Sequence, residues 1–340
     1  MMGLLGGKKL AIDLGNNKTI VSDGSTHYSC QPSYVVLHRD SKSLRAVGNE
    51  AYQMFGRTHE RFKSVKPLRG GVIADFDSAC LMLKAMVDSL LPSPKFSLRG
   101  IDMLISGVPY STTEVERRAL RDALEQFHSK KTKLVFEPLA AAIGMGLDIS
   151  KPEGTMLVDI GGGITECVII SLSGIAAFQS IKTAGDAFDE DIKDYFRKQY
   201  NMSIGSTTAE LIKINAGAVS TDLDTEFSYS FNGKDLMTGI PVNRTTSSKE
   251  LAFVLDKSFS RIEQHIWKTL ETCPPELSAD IYQKGIFITG GGALLRGVKE
   301  RLEKSLSLEI HIDAEPHMAV AKGISKMLAN PVKHRNILID

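Results

Sequence analysis

Long apolar runs are missing from this 340-residue chain. No stretch approaches the ~18 residues needed to cross a bilayer, which excludes a transmembrane helix. Cysteine is sparse: Cys30, Cys80, Cys167 and Cys273 stand far apart without C-x-x-C spacing. Neither a disulfide framework nor a zinc site is indicated. Charge of one sign is also lacking, since 41 Lys and Arg against 40 Asp and Glu leave a net +1. That balance argues against bulk nucleic-acid binding and against basic partners. Met1 to Lys9 is too short for a secretory apolar region. A G-x-x-x-x-G-K-[ST] P-loop is absent, as is a G-x-G-x-x-G fingerprint at the first strand. What remains is a soluble, reducing-compartment protein, 42% hydrophobic, whose length sets a prior of two domains of about 150 residues.

Strand and helix patterns alternate along the chain. Lys9-Leu-Ala-Ile-Asp-Leu-Gly reads as a buried strand ending in a turn, with a second strand from Thr19. Helical apolar spacing runs from Asp77 to Leu91 and stops at Pro92 and Pro94. Ile101 to Val108 is a strand, and Thr113 with Glu116 forms a capping box that opens the next helix. Leu134-Val-Phe is a short strand, and Pro138 suits a first helical position. After Pro152 and Gly154, the best boundary, comes the strand Met156-Leu-Val-Asp-Ile-Gly. Phe227, Tyr229 and Phe231 alternate with polar residues into Asn232-Gly233, which predicts a hairpin turn there. A long helix over about 250–272 precedes Pro274-Pro275, and its Trp267 is expected in the core. Strand Gly285-Ile-Phe-Ile-Thr then leads to Gly290-Gly-Gly. This alternation is that of an α/β architecture.

The strongest signal is an internal repeat. Asp13-Leu-Gly-Asn-Asn-Lys-Thr19 and Asp159-Ile-Gly-Gly-Gly-Ile-Thr165 share Asp-[Leu/Ile]-Gly-x-x-x-Thr, each after an apolar strand and 159 − 13 = 146 residues apart. Glycines let backbone N–H groups approach phosphate oxygens closely. Two aspartates suit magnesium, which keeps several waters and takes few protein oxygens. Thr289-Gly-Gly-Gly-Ala-Leu-Leu is a third glycine turn, suited to a nucleotide base or phosphate at a helix start.

At these residues the chain resembles the actin, Hsp70 and sugar-kinase ATPase superfamily, and within it the MreB family of bacterial actins. The resemblance runs through Val65-Lys-Pro-Leu-Arg-Gly-Gly-Val-Ile-Ala-Asp75, Gly107-Val-Pro, Glu114-Val-Glu-Arg-Arg-Ala and Glu137-Pro-Leu-Ala-Ala-Ala-Ile-Gly144. It continues in Val158-Asp-Ile-Gly-Gly-Gly, Ala184-Gly-Asp-Ala-Phe-Asp-Glu190, Ile204-Gly-Ser-Thr-Thr-Ala-Glu210 and the block 285–297.

The resemblance implies an actin-like fold of two RNase-H-like halves, each with a smaller subdomain. The first half is expected over 1–152 with its small subdomain near 33–72. The second covers 153–340, with a small subdomain near 187–248 and a segment from about 316 returning to the first half. ATP and Mg2+ are the implied cofactors, bound in the cleft. Carried over residue by residue, Gly15, Asn16, Asn17 and Lys18 form the first phosphate loop, and Gly161, Gly162 and Gly163 the second. Glu210, Leu211, Ile212 and Lys213 fall at the ribose and base, and Gly290, Gly291, Gly292 and Ala293 form the adenosine loop. Asp13 and Asp159 hold the metal, mostly through water, and Glu137 activates the hydrolytic water.

Two departures stand out. The family's first loop reads Asp-Leu-Gly-Thr-Ala-Asn-Thr, where this chain has Asn16, Asn17 and Lys18. Its second reads Gly-Gly-Gly-Thr-Thr-Glu, and the first threonine, which helps hold the attacking water, is Ile164 here. Slow hydrolysis with ATP binding retained is the expectation.

Family members polymerise with copies of themselves into paired filaments on the inner face of the membrane and guide cell-wall synthesis through membrane proteins. The anchor expected here is either Met1, Met2, Leu4 and Leu5 beside Lys8 and Lys9, or the loop from Leu90 to Arg99 with Leu91 and Phe96. No nucleic-acid partner is expected. The alternatives are a hydrolysis-poor paralogue that modulates another filament and, more remotely, a small-molecule kinase. An Hsp70-type chaperone would need a substrate-binding domain beyond the ATPase core.

Overall fold

The computed structural model describes residues 8–24, 27–90 and 100–340. Both expected membrane contacts, in 1–7 and 91–99, lie outside the described residues. Among the described residues no helix is long and apolar enough to cross a membrane. The chain divides into two compact units. The first runs to Glu153 and takes in 170–174 and His317–Asp340; the second comprises Gly154–Ile169 and Ile175–Pro316.

The first unit begins with β1 (Lys8–Leu14), β2 (Lys18–Ser22) and β3 (Tyr28–Pro32). A small sheet follows: β4 (Val35–His38), β5 (Leu44–Val47) and β6 (Phe62–Val65), with α1 (Gly48–Met54) between the last two. A two-stranded ribbon, β7 (Leu68–Arg69) and β8 (Val72–Ile73), leads into α2 (Phe76–Leu90), β9 (Ile101–Val108), α3 (Glu114–Glu125), β10 (Thr132–Phe136) and α4 (Glu137–Gly144). The main sheet has the order β3-β2-β1-β9-β10, and the short strand Leu338–Ile339 pairs with β10 at its edge. β1 is antiparallel to β2, with Leu14 opposite Thr19, and parallel to β9. Met82, Leu83 and Met86 of α2 and Leu120 and Leu124 of α3 bury their stripes against Leu10, Ile12 and Leu104 of this sheet. The expected capping box is present: Thr113 accepts from the Glu116 N–H, and the Glu116 carboxylate accepts from the Thr113 N–H.

The chain's last helix, Ala319–Ala329, returns to this unit and packs along α4. The approach is backbone to backbone. A Cβ on Gly323 would come within 3.0 Å of the Ala140 carbonyl, and one on Gly144 would strike the Ala319 carbonyl. Only glycine permits so close a crossing.

The second unit repeats the pattern. Its main sheet contains β11 (Thr155–Ile160), β12 (Thr165–Ser171) and β13 (Gly174–Ile181). Then come α5 (Gly185–Tyr200), β14 (Met202–Ser203), α6 (Ser206–Ala216), β15 (Ser228–Asp235), β16 (Pro241–Ser247), α7 (Ser248–Glu271) and α8 (Pro275–Lys284). β17 (Ile286–Thr289), a 3-10 turn at Gly291–Leu294, α9 (Val298–Leu306) and β18 (Ile310–Ile312) complete it. The order β13-β12-β11-β17-β18 matches β3-β2-β1-β9-β10 position for position, with β11 parallel to β17. Phe188, Phe196 and Phe259 fill the core between helices and sheet. The small sheet β14-β15-β16 is pinned by Glu250 of α7, which accepts from Tyr195 at 2.8 Å, Tyr200 at 3.0 Å, Arg244 at 3.1 Å and Thr246 at 2.5 Å.

Two expectations are corrected. The β15–β16 hairpin exists, but its turn lies beyond Asn232-Gly233. Asp235 accepts from the N–H groups of Met237 and Thr238, and Gly239 takes φ +74°. Gly233 instead lets the strand approach β14, since a Cβ there would fall within 3.0 Å of Met202 and the Ser203 carbonyl. Trp267 is 46% exposed rather than core. The buried stripe of α7 is Leu251, Leu255, Phe259, Ile262 and Ile266, and the next residue is turned about 100° away from it.

Candidate nucleotide site

In the first unit, Asp13 stands next to last on β1, and the Gly15–Lys18 turn closes the hairpin with β2. A Cβ on Gly15 would meet the Lys18 carbonyl inside 3.0 Å, so the turn requires glycine there. The two asparagines that depart from the family pattern are both engaged. Asn16, 3% exposed, accepts from the Gly71 N–H at 2.8 Å, and Asn17 accepts from Lys66 at 2.5 Å. Ser33 donates to the Gly15 carbonyl at 2.6 Å, and its own N–H donates to the Asn17 carbonyl at 2.9 Å. The turn is thereby tied to the end of β6 and to the β7–β8 ribbon. Sequence patterns carry no sign of these long-range partners.

Lys18 is exposed, and it and Asp13 both act on the Cys30 thiol of β3. Burial pushes that thiol's pKa up; Lys18 lowers it and Asp13 raises it further. Desolvation likewise lifts the Asp13 carboxyl well above the usual carboxylate range. Such a group is poised to gain from a cation, which would favour its ionised form.

Glu137 opens α4, and Gly107 of β9 leaves room for its side chain: a Cβ there would lie 3.1 Å from the Glu137 Cγ. Leu14, Gly71, Gly107 and Glu137 share the lining of a cavity of about 20 Å³. That is space for roughly one water.

In the second unit, Asp159 stands next to last on β11, opposite Thr289 of β17. The turn after it closes as the Gly161 N–H donates to the Ile164 carbonyl at 3.0 Å. Gly162 and Gly163 complete the turn, with Gly185 and Asp186 of α5 donating to the carbonyls of Gly161 at 3.1 Å and Gly162 at 2.7 Å. Ile164 is half-buried, and the neighbouring Thr165 hydroxyl is committed to the Thr183 carbonyl at 2.8 Å. It is therefore not free to donate in place of the missing threonine.

Gly290 and Gly292 lie against Asp159 and Ile160. Gly290 has φ +83°, and a Cβ on it would collide with Asp159 Oδ1 and the Ile160 carbonyl; one on Gly292 would collide with the Ile160 side chain. The Gly290 N–H and Thr289 hydroxyl both donate to the Pro316 carbonyl, at 3.0 and 2.7 Å. Gly291 is exposed and Ala293 is buried. On α6, Glu210 is half-buried and Leu211 exposed, while Ile212 is fully buried in the core, so its side chain serves packing. Lys213 lies 2.8 Å from Asp189, a partner the sequence reading did not single out.

The donor set fits a magnesium nucleotide. Each unit presents one half-buried aspartate beside a glycine turn, and Gly290 and Gly292 leave no room for side chains. Among the described residues there is no cluster of three or more His, Cys, Asp or Glu suited to a metal. Magnesium needs none, since phosphates and water supply most of its ligands.

Comparison with known proteins is consistent across sequence and structure. The family model described as MreB/Mbl protein matches residues 7–336. The cell shape-determining protein Mbl of Bacillus subtilis is 40% identical over 324 residues, covering 95% of this chain and 96% of that one. The cell shape-determining protein MreB of Escherichia coli is 37% identical, covering 94% and 92%. MreB5 of Spiroplasma citri, solved bound to ADP and to AMPPNP, superposes with TM-scores of 0.90 and 0.91 at 32% identity, covering 97% of this chain and 98% of that one. The architecture is thus the actin-like ATPase fold.

Proposed function

The chain belongs to the MreB/Mbl family, and from that membership we propose that it is an ATP-binding cytoskeletal protein. It polymerises with copies of itself into filaments at the inner face of the cell membrane and organises cell-wall synthesis and cell shape. The observation that carries the nucleotide part is the repeated Asp-x-Gly turn at the end of the same strand in two sheets of identical order. Nucleotide-bound MreB5 supports it as a relative.

In this reading the N–H groups of 15–18 and 161–163 take the phosphates, and 210–213 with 290–293 take the adenosine. Asp13 and Asp159 hold Mg2+ through water, and the ion, when bound, neutralises charge on the phosphates. Glu137 accepts the proton of the attacking water, a role worth ~10²–10⁴-fold in rate. Ile164 offers that water no hydroxyl, and the chain hydrolyses ATP slowly. The membrane contact falls to Leu91 and Phe96 or to the N-terminal segment, and wall-synthesis membrane proteins are the partners.

A second reading, a hydrolysis-poor paralogue that modulates another filament, draws on Ile164 together with the engaged Thr165 hydroxyl. Sedimentation with Mg-ATP on anionic liposomes, followed by electron microscopy of the pellet, separates the two. Ordered filaments on lipid establish the first. A protein that binds ATP yet stays in the supernatant unless another family member is added establishes the second.

A further inference from the structure

Asn16 and Asn17 stand where the family pattern has threonine and alanine, and their side chains reach residues 55 and 49 positions away in the chain. The turn that carries them is fixed by other groups: the pairing of Leu14 with Thr19, the glycine at 15 and two bonds from Ser33. The asparagines take hold of the segment that bears the β7–β8 ribbon. Asn17 accepts from Lys66, just ahead of β7, and Asn16 accepts at 2.8 Å from the N–H of Gly71 at the ribbon's tip. That tip is a two-residue turn, with Gly70 at φ +58° and Gly71 at φ +84° between the paired Arg69 and Val72. Such a turn leaves the N–H groups of its central residues outside the strand ladder, so they bond elsewhere. Gly71 finds its acceptor in a side chain that is 3% exposed. A two-stranded ribbon has little stability of its own, and its position depends on contacts of this kind.

The same tip walls the cavity beside Glu137. Gly71 and Val72 of the ribbon, Gly107 of β9 and Glu137 of α4 line a space of about 20 Å³, room for roughly one water. Gly71 thus belongs to both places: its N–H is held by the first glycine turn, and it bounds the space next to Glu137.

We propose that Asn16 is a positioning residue for hydrolysis, fastening the ribbon tip over the water cavity of Glu137. Its carboxamide oxygen stands one bond further from the backbone than the hydroxyl of the threonine in the family pattern, and that reach spans the gap to Gly71. The first phosphate turn and the water cavity thereby move as one piece. A phosphate seated on the N–H groups of 15–18 also steadies the wall of the space in which the water stands. Asn17 with Lys66 holds the other end of the same segment. The effect on hydrolysis rests on the nucleotide reading above; the fastening of the ribbon does not.

The test uses the full chain with three variants. Asn16→Ala and Asn16→Leu remove the acceptor with and without loss of volume, and Asn16→Asp keeps it. Without nucleotide, amide hydrogen exchange is followed in peptides covering 68–75, with 101–108 and 155–160 as controls. Asn16→Ala and Asn16→Leu are expected to exchange about tenfold faster at 68–75 and no faster at the controls, while Asn16→Asp stays near wild type. Exchange unchanged at 68–75, or raised equally at the controls, overturns the fastening, as does Asn16→Asp behaving like Asn16→Ala. With Mg-ATP, single-turnover phosphate release is expected to fall about fivefold in Asn16→Ala and Asn16→Leu, with the affinity for Mg-ATP changed less than twofold. Added to Glu137→Gln, Asn16→Ala should slow release no further, because it acts through the water that Glu137 activates. A loss carried wholly by affinity, or a full further slowing on top of Glu137→Gln, overturns the positioning role. A wild type that binds no ATP strikes the proposed function alone, because exchange at 68–75 still decides the fastening.

Discussion

Restoring the hydroxyl missing from the second turn should restore part of the hydrolytic rate. The Ile164→Thr substitution leaves the turn's backbone closure alone, since Ile164 contributes only its carbonyl to the bond from Gly161. It adds one hydroxyl on a half-buried residue beside Thr165, whose own hydroxyl is occupied by the Thr183 carbonyl. A neutral hydrogen bond to the attacking water contributes about 0.5–1.5 kcal/mol. With about 1.4 kcal/mol per decade of rate, the gain is roughly two- to twelvefold. The assay is single-turnover phosphate release with protein in excess over Mg-ATP, at concentrations below and above the polymerisation threshold. Ile164→Val is the control for lost bulk and should leave the rate unchanged. Glu137→Gln, introduced into Ile164→Thr, should abolish the gain, because the hydroxyl helps only a water that the carboxylate activates. The reasoning is refuted if Ile164→Thr and Ile164→Val both match wild type, or if wild type already releases phosphate as fast as relatives that carry the threonine.

Three further outcomes are expected. Gly290→Ala combines a left-handed backbone with a collision against Asp159 and the Ile160 carbonyl, and should cost about 3 kcal/mol or more, read as a lowered denaturant midpoint. Stability of the nucleotide-free protein should fall with rising pH, because burial raises the Asp189 carboxyl to about 7 in the fold against 3.8 for a free aspartate. The folded state holds an extra proton between those values, so this contribution is full below about pH 4, is lost as pH rises through 7 and is flat above it, with a slope of at most about 1.4 kcal/mol per pH unit. Urea denaturation of Asp189→Asn between pH 5 and 8 should give a shallower profile; an identical one would remove Asp189 from the account. Leu91→Ser with Phe96→Ser should reduce flotation with anionic liposomes severalfold, and unchanged flotation would assign lipid contact elsewhere.

The features legible in the sequence are the ones written in neighbouring residues. Apolar strands ending in Asp-x-Gly, the Thr113 and Glu116 capping box and the apolar stripe of α2 are local patterns, and the structure carries each of them. What escaped depends on residues far apart in the chain. Asn16 and Asn17 read only as departures from the family pattern until Gly71 and Lys66 are placed beside them. Nothing near Lys213 in the sequence points to Asp189, on another helix, which stands 2.8 Å from it. Asn232-Gly233 reads as a turn because the dipeptide favours one, whereas tertiary packing of Gly233 on β14 uses the same small residue for close approach. Hydrophobic size alone, without the phase of the helix, does not say which face is buried, so Trp267 reads as core yet lies exposed.

The glycine-to-backbone crossing of Ala319–Ala329 on α4 also sets an order of events during synthesis. The first unit lacks its closing helix and edge strand until His317–Asp340 emerge from the ribosome, after the 316 − 153 = 163 residues that follow Glu153. At translation speeds of about 5–20 residues per second, that is a wait of roughly 8–33 s. Throughout it, the apolar face of α4, with Leu139, Ala140 and Ile143, has no cover from its final neighbour. The unit that is started first therefore gains its closing helix last, and the face of α4 is exposed to aggregation for that interval.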